Sequence, residues 1–209
     1  MVLDADTDEV GLSRYEEGAA RPREFGDGEE TWWWTAVLEG GSGCPVVADC
    51  SHNTGVIDRV HSEAFDFHGL DVRDRYAEIG FDVTKVCFFA PDVDDAEAFM
   101  TNGARVTATD TLLVLNEGVG DGRRGSHQFD GVRAHPAVRE AIEHGAGVAW
   151  MPALRSNLAA DREIRSLIAF SKLGVEGQEP LVFKRLAMRM WLEKMETAFT
   201  PFSRELGLV

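Results

Sequence analysis

Five short apolar runs, each separated from the next by a longer stretch, constrain this chain more than any other feature. They are Val2–Ala5, Val46–Ala48, Val83–Ala90, Thr111–Leu115 and Val148–Met151. All five read as strands; Val46–Ala48, a continuous apolar run bounded by Pro45 and a polar loop, reads as one covered on both faces, and Val83–Ala90, rich in β-branched and aromatic residues, ends at Pro91. The stretches between them repeat apolar residues at helical spacing. Helices are predicted over about residues 54–67, 71–79, 94–100 and 136–144, the last stopped by Gly145. A further helix is predicted at 29–38, where Glu29 and Glu30 open the run and Gly40-Gly41 follow it. Strands alternating with helices require a parallel sheet with right-handed crossovers and helices on both faces. The expected class is α/β, a three-layer α/β/α arrangement with a mainly parallel sheet and a helical C-terminus. That C-terminus comprises helices at about 157–173 and 180–199, and in the second Phe183, Leu186, Ala187, Met190, Trp191 and Met195 form a stripe expected to face the core. The core is expected to span 1–155, with 156–209 as a helical extension packed on the same domain.

Composition narrows the function classes. A chain of 209 residues, 44% apolar, suits one globular domain with at most a small appendage. Its 21 basic and 36 acidic residues give a net charge of −15, which argues against non-specific binding to nucleic acid or to a membrane surface. Three cysteines without regular spacing argue against a disulfide framework and for a reducing compartment. No apolar run is long enough to span a bilayer, and Met1-Val2-Leu3-Asp4 lacks the basic, apolar character of a signal peptide. A cytoplasmic protein is expected.

In an open parallel sheet, ligands sit beyond the carboxyl ends of the strands. Those ends carry Asp4 and Asp6, then Asp49, Asp92, Asn116 and Pro152. Asp49, which opens the polar loop Cys50-Ser51-His52-Asn53, reads either as a helix-capping acid or as a group that holds a metal or orients a water. Gly40-Gly41-Ser42-Gly43 reads as a turn: it follows a helix, precedes a strand and has no Lys, whereas a phosphate loop follows a strand and opens a helix. Cys44, Cys50 and His52 lack the second ligand pair of a zinc site. Cys87 sits mid-strand and reads as core. Arg123 and Arg124, in a glycine-containing loop, read as solvated. The acids Asp92, Asp94, Asp95 and Glu97 read as helix N-terminal charge. Three adjacent tryptophans, Trp32 to Trp34, cannot all face one core, so a partner surface stands beside packing under the preceding loop.

The order of the strand motifs resembles the ParA/MinD branch of the P-loop nucleotide-hydrolysing family, the deviant Walker proteins. Within that branch it is most similar to plasmid mobilisation, conjugal-transfer and partition-associated proteins. The residues that carry the resemblance are Val-Leu-Asp-Ala-Asp at 2–6, Val-Val-Ala-Asp at 46–49, Leu-Leu-Val-Leu-Asn-Glu at 112–117 and Trp-Met-Pro-Ala-Leu at 150–154. The resemblance implies that Asp4 and Asp6 lie near the magnesium and the attacking water, as catalytic groups. It implies that Asp49 is the acid that holds magnesium through water. It implies that Asn116 bonds the adenine edge and that Pro152 belongs to the loop covering the base. ATP and Mg2+ are the cofactors it implies, and a homodimer across the nucleotide is the assembly. The family's first strand and its Lys-containing Walker A loop would precede Asp4, where this chain begins. Weak nucleotide affinity and little hydrolysis are therefore expected, from a late-assigned start, a split gene or a scaffold that has lost the chemistry. An alternative expectation is a nucleotide-independent adaptor that binds a protein through Trp32–Trp34 and the C-terminal helices.

Overall fold

The computed structural model describes residues 2–4, 46–49, 76–78, 80–94, 96, 110–119, 126–154, 182–204 and 206. The chain divides into two compact units, one of Met1–Asp66 with Ala160–Val182, the other of Phe67–Ala159 with Phe183–Val209. In the first unit, strand β1 (Val2–Asp4) pairs in parallel with β2 (Val47–Asp49), and Asp4 stands opposite Asp49. In the second, β3 (Thr84–Phe89), β4 (Asp110–Asn116) and β5 (Gly147–Met151) form a parallel sheet in the order β3-β4-β5. Among the described residues the five strands thus form two sheets, one of two strands and one of three. The chain is a mixed α/β protein.

Strand β4 is the centre of the second unit. Leu112, Leu113, Val114 and Leu115 are all buried, which is why the run is apolar without alternation: a central strand has two faces to cover. On one face, Leu113 and Leu115 join Phe89, Phe129, Val132, Ala137 and Val138, with Cys87 and Trp150 packed alongside. Phe129 leads into helix α1 (Asp130–Ala134), which is followed by helix α2 (Pro136–Glu143). The Phe129 ring meets Trp150 edge-on, with centroids 5.1 Å apart and planes at 78°, a geometry that adds about 0.5–1.5 kcal/mol to the area buried. On the opposite face, Leu112, Val114 and Ala149 are covered by Phe199, Phe202 and Leu206. Phe199 ends helix α3 (Val182–Phe199). Helices therefore lie on both faces of this sheet, as the alternating pattern requires.

Local chemistry sets the element ends. Pro136 forces His135 into an extended conformation (φ −61°, ψ 133°), because the proline ring disfavours the helical region for the residue before it. That separates α1 from α2 and places proline at the first helical turn, where its missing N–H costs nothing. Helix α2 stops at Gly145, whose φ of +99° lets Ala146 N–H reach back to Ala141 O at 2.9 Å and Gly145 N–H to Ile142 O at 3.0 Å. The same closure recurs at Gly80 (φ +86°), where Phe81 N–H bonds Tyr76 O at 2.9 Å and the two rings pack edge-on. Residues 76–78, 93, 94 and 96 are helical, within the predicted 71–79 and next to or within 94–100. The predicted helices at 29–38, 54–67 and 157–173 lie outside the described residues, as do the tryptophan run, Cys44, Cys50, His52, Arg123 and Arg124.

The stripe predicted for the last helix needs correction. Leu186 and Met190 are about half exposed, at 52% and 50%. The covered side runs through Ala187, Trp191, Met195 and Phe199, spaced four apart. The apolar pattern is broader than the contact: α3 packs on one sheet face, and Leu186 and Met190 sit one residue, about 100°, to the side of that line. Among the described residues no helix is long and apolar enough to cross a membrane.

Candidate functional site

Proline stands just beyond two strands of the second unit: Pro91 two residues past the end of β3, and Pro152 directly after β5. Proline has no N–H to give to a neighbour. Beyond Pro91, the Asp92 carboxylate accepts the Asp94 N–H at 3.2 Å, a helix-capping contact. Asp92 is thus used locally, as its reading as helix N-terminal charge expects. Strand β4 ends on Asn116, which is in register with Met151 of β5. Asn116 and Pro152 therefore stand side by side at one carboxyl edge.

The Asn116 side chain has a defined orientation. Its Oδ1 accepts the Gly118 N–H at 2.8 Å, which settles which end of the amide is oxygen, since a backbone N–H cannot donate to the amide nitrogen. Nδ2 is left as a donor, and the oxygen keeps a second lone pair. The half-buried amide thus closes a local turn with its oxygen and presents its nitrogen as a donor.

Glu117 and Trp191 complete the edge. The Glu117 carboxylate oxygen Oε2 accepts the Ala153 N–H at 3.4 Å, bridging the ends of β4 and β5. The Trp191 indole Nε1–H donates to the Pro152 carbonyl at 2.8 Å. Sequence reasoning placed Glu117 inside a motif without a role and Trp191 in a core stripe. The overlooked signal is the indole N–H: a tryptophan turned toward a packed face still needs an acceptor.

In the first unit, Asp4 and Asp49 are register partners at the carboxyl ends of β1 and β2. Adjacent strands lie about 4.8 Å apart, so two acids end neighbouring strands. Asp6 lies outside the described residues. Among the described residues no three His, Cys, Asp or Glu side chains form a metal-holding group, and the side chains of Asp4 and Asp49 are not among those described. Cys87 is packed against the core cluster, and burial pushes its thiol pKa up, opposed in smaller part by the nearby Lys85 ammonium. A thiol kept protonated is a poor nucleophile, in line with its reading as core.

Comparison of the chain with protein-family profiles, with curated proteins and with solved structures finds no match.

Proposed function

We propose that this chain is a nucleotide-binding protein of the ParA/MinD type, with a P-loop NTPase-like fold, serving plasmid transfer, mobilisation or partition. The observation that supports this reading is the placement of Asn116, register partner of Met151, beside Pro152 at one carboxyl edge of the sheet, as expected for a base site. Asn116 would bond the base edge and the Pro152 loop would lie against it. Asp49 would hold magnesium through water, and Asp4 and Asp6 would orient the water and the metal near the terminal phosphate. The magnesium nucleotide supplies the phosphoryl group; the residues of this chain bind and orient it. No segment of the chain carries a Gly-rich loop with Lys followed by Ser or Thr, so binding without appreciable hydrolysis is the activity proposed for it. A homodimer and a cytoplasmic location belong to the same proposal.

The test is calorimetry of the chain with Mg-ATP. Weak magnesium-dependent binding is expected, weakened further, about tenfold, by Asn116→Ala through loss of one hydrogen bond, and abolished by Asp49→Ala. Absence of binding overturns the reading. A second reading, a nucleotide-independent adaptor using Trp32–Trp34 and the C-terminal helices, draws on the half-exposed Leu186 and Met190 of α3. It predicts no heat with Mg-ATP.

A further inference from the structure

Strand alternation sorts the residues of the three-stranded sheet onto two faces. Leu112, Val114, Ala149 and Met151 share one face, together with Val86 of β3. Phe88, two residues beyond Val86, and Asn116, two beyond Val114, belong to that same face. Phe199, Phe202 and Leu206 cover the β4 and β5 residues there and leave Phe88 open. Phe88 is 59% exposed, although its register partner Val114 is fully buried. Among the described side chains it is the one exposed aromatic, whereas Phe89 beside it turns to the opposite face and is buried. Asn116 stands one strand over and two residues further along. With strands about 4.8 Å apart and a rise of about 3.3 Å per residue, the two Cα atoms lie about 8 Å apart. The Asn116 Oδ1 is used by the Gly118 N–H, and among the described residues Nδ2 has no partner. Strand side chains stand roughly perpendicular to the sheet, so ring and amide rise from one face within the reach of one small molecule. A single exposed apolar side chain is ordinary, and a lone amide donor is served by water. Side by side they offer a flat apolar surface with a directed hydrogen-bond donor at its margin.

We propose that Phe88 is the platform on which the nucleotide's base stacks while Asn116 holds the base edge. This role rests on the nucleotide reading and adds to it the surface that carries the base. A heterocycle laid against the carboxyl-end side of Phe88 has its edge beside Asn116, where Nδ2 donates to a ring nitrogen or a carbonyl oxygen. Stacking then supplies affinity, since every base has a π face, and the amide fixes the orientation. Phe88 lies on β3, whose pairing with β4 runs from Thr84 to Phe89, so the platform is held by the sheet and stands ready without rearrangement.

The test uses the full chain and two probes, Mg-ATP and magnesium tripolyphosphate, which has the phosphates without the base, each titrated by NMR. Phe88→Ala is expected to weaken Mg-ATP binding about tenfold, the scale of one base–aromatic stack, and to leave tripolyphosphate binding unchanged. Phe88→Trp, which keeps a platform, is expected to bind Mg-ATP as the unsubstituted chain does. In the unsubstituted chain, nuclear Overhauser contacts between the Phe88 ring protons and the base protons of ATP are expected, and this measurement carries the test if Phe88→Ala fails to fold. Mg-ATP affinity unchanged in Phe88→Ala while Asn116→Ala lowers it overturns the stacking role and leaves the nucleotide reading standing. An equal loss for tripolyphosphate, which would be general loosening, overturns the stacking role as well. Absence of Mg-ATP binding to the unsubstituted chain overturns both.

Discussion

Replacing Gly147 with alanine tests how the C-terminal turn packs on the sheet. A Cβ at this position would stand 2.5 Å from Phe202 Cε1, 3.0 Å from Phe202 Cδ1 and 3.2 Å from Leu112 Cδ1. Carbon atoms settle at about 3.5–4.0 Å, so the ring has to retreat by roughly 1 Å. Retreat pulls Phe202 off Leu112, Val114 and Ala149, which it helps to cover. Overpacking of this kind costs about 1–3 kcal/mol. Against it stands a gain of about 0.4–1 kcal/mol, because alanine restricts the unfolded chain more than glycine does. The net expectation is destabilisation by about 1–2 kcal/mol. The chain has two compact units, so the assay should read the second alone: exchange of the Leu112–Leu115 amides, converted to an opening free energy. The same substitution in a Phe202→Ala background should reverse sign and stabilise by about 0.4–1 kcal/mol, since the clashing ring is gone. Stabilisation by Gly147→Ala in the unsubstituted chain, or the same sign in both backgrounds, would refute the packing argument.

Two further expectations follow from buried polar groups. The Cys87 thiol pKa is raised by burial, so between its unfolded and folded values the unfolded chain has lost the proton that the folded chain keeps. Stability is then full below the unfolded value and falls as pH rises through and above about 9; a Cys87→Ala variant should show a shallower alkaline loss in urea titrations at pH 8 to about 10, and an unchanged slope would count against the assignment. Gln128 buries both Nε2 and Oε1 without a hydrogen-bond partner, a cost of about 1–3 kcal/mol. Gln128→Met, similar in length and apolar, should therefore raise the opening free energy by about 1–2 kcal/mol, and a loss would mean that the amide is satisfied in solution.

By itself the sequence determined, among the described residues, where the strands lie and where α2 begins and ends. The run at 83–90 contains the observed Thr84–Phe89, and Thr111–Leu115 lies within Asp110–Asn116. Pro136 and Gly145 bracket α2 as predicted, because proline and glycine act through their own backbone geometry and need no distant partner. The alternation of strand and helix likewise specified parallel pairing and helices on both faces of the three-stranded sheet. That Asn116 and Pro152 stand at the carboxyl ends of strands was legible in the sequence; that the two strands are neighbours came from the sheet order. What those residues touch was not. The Glu117 bond to Ala153 joins residues 36 apart, and the Trp191 bond to Pro152 joins residues 39 apart. Neither can be read until register and helix rotation are set. The same holds for α3, whose apolar residues outnumber those it covers: the contact with one sheet face, not helical periodicity, left Leu186 and Met190 half exposed. Local propensity acts over a few residues and is written in the chain, whereas a hydrogen bond between strand end and helix depends on how packed surfaces fit, which only the tertiary structure decided.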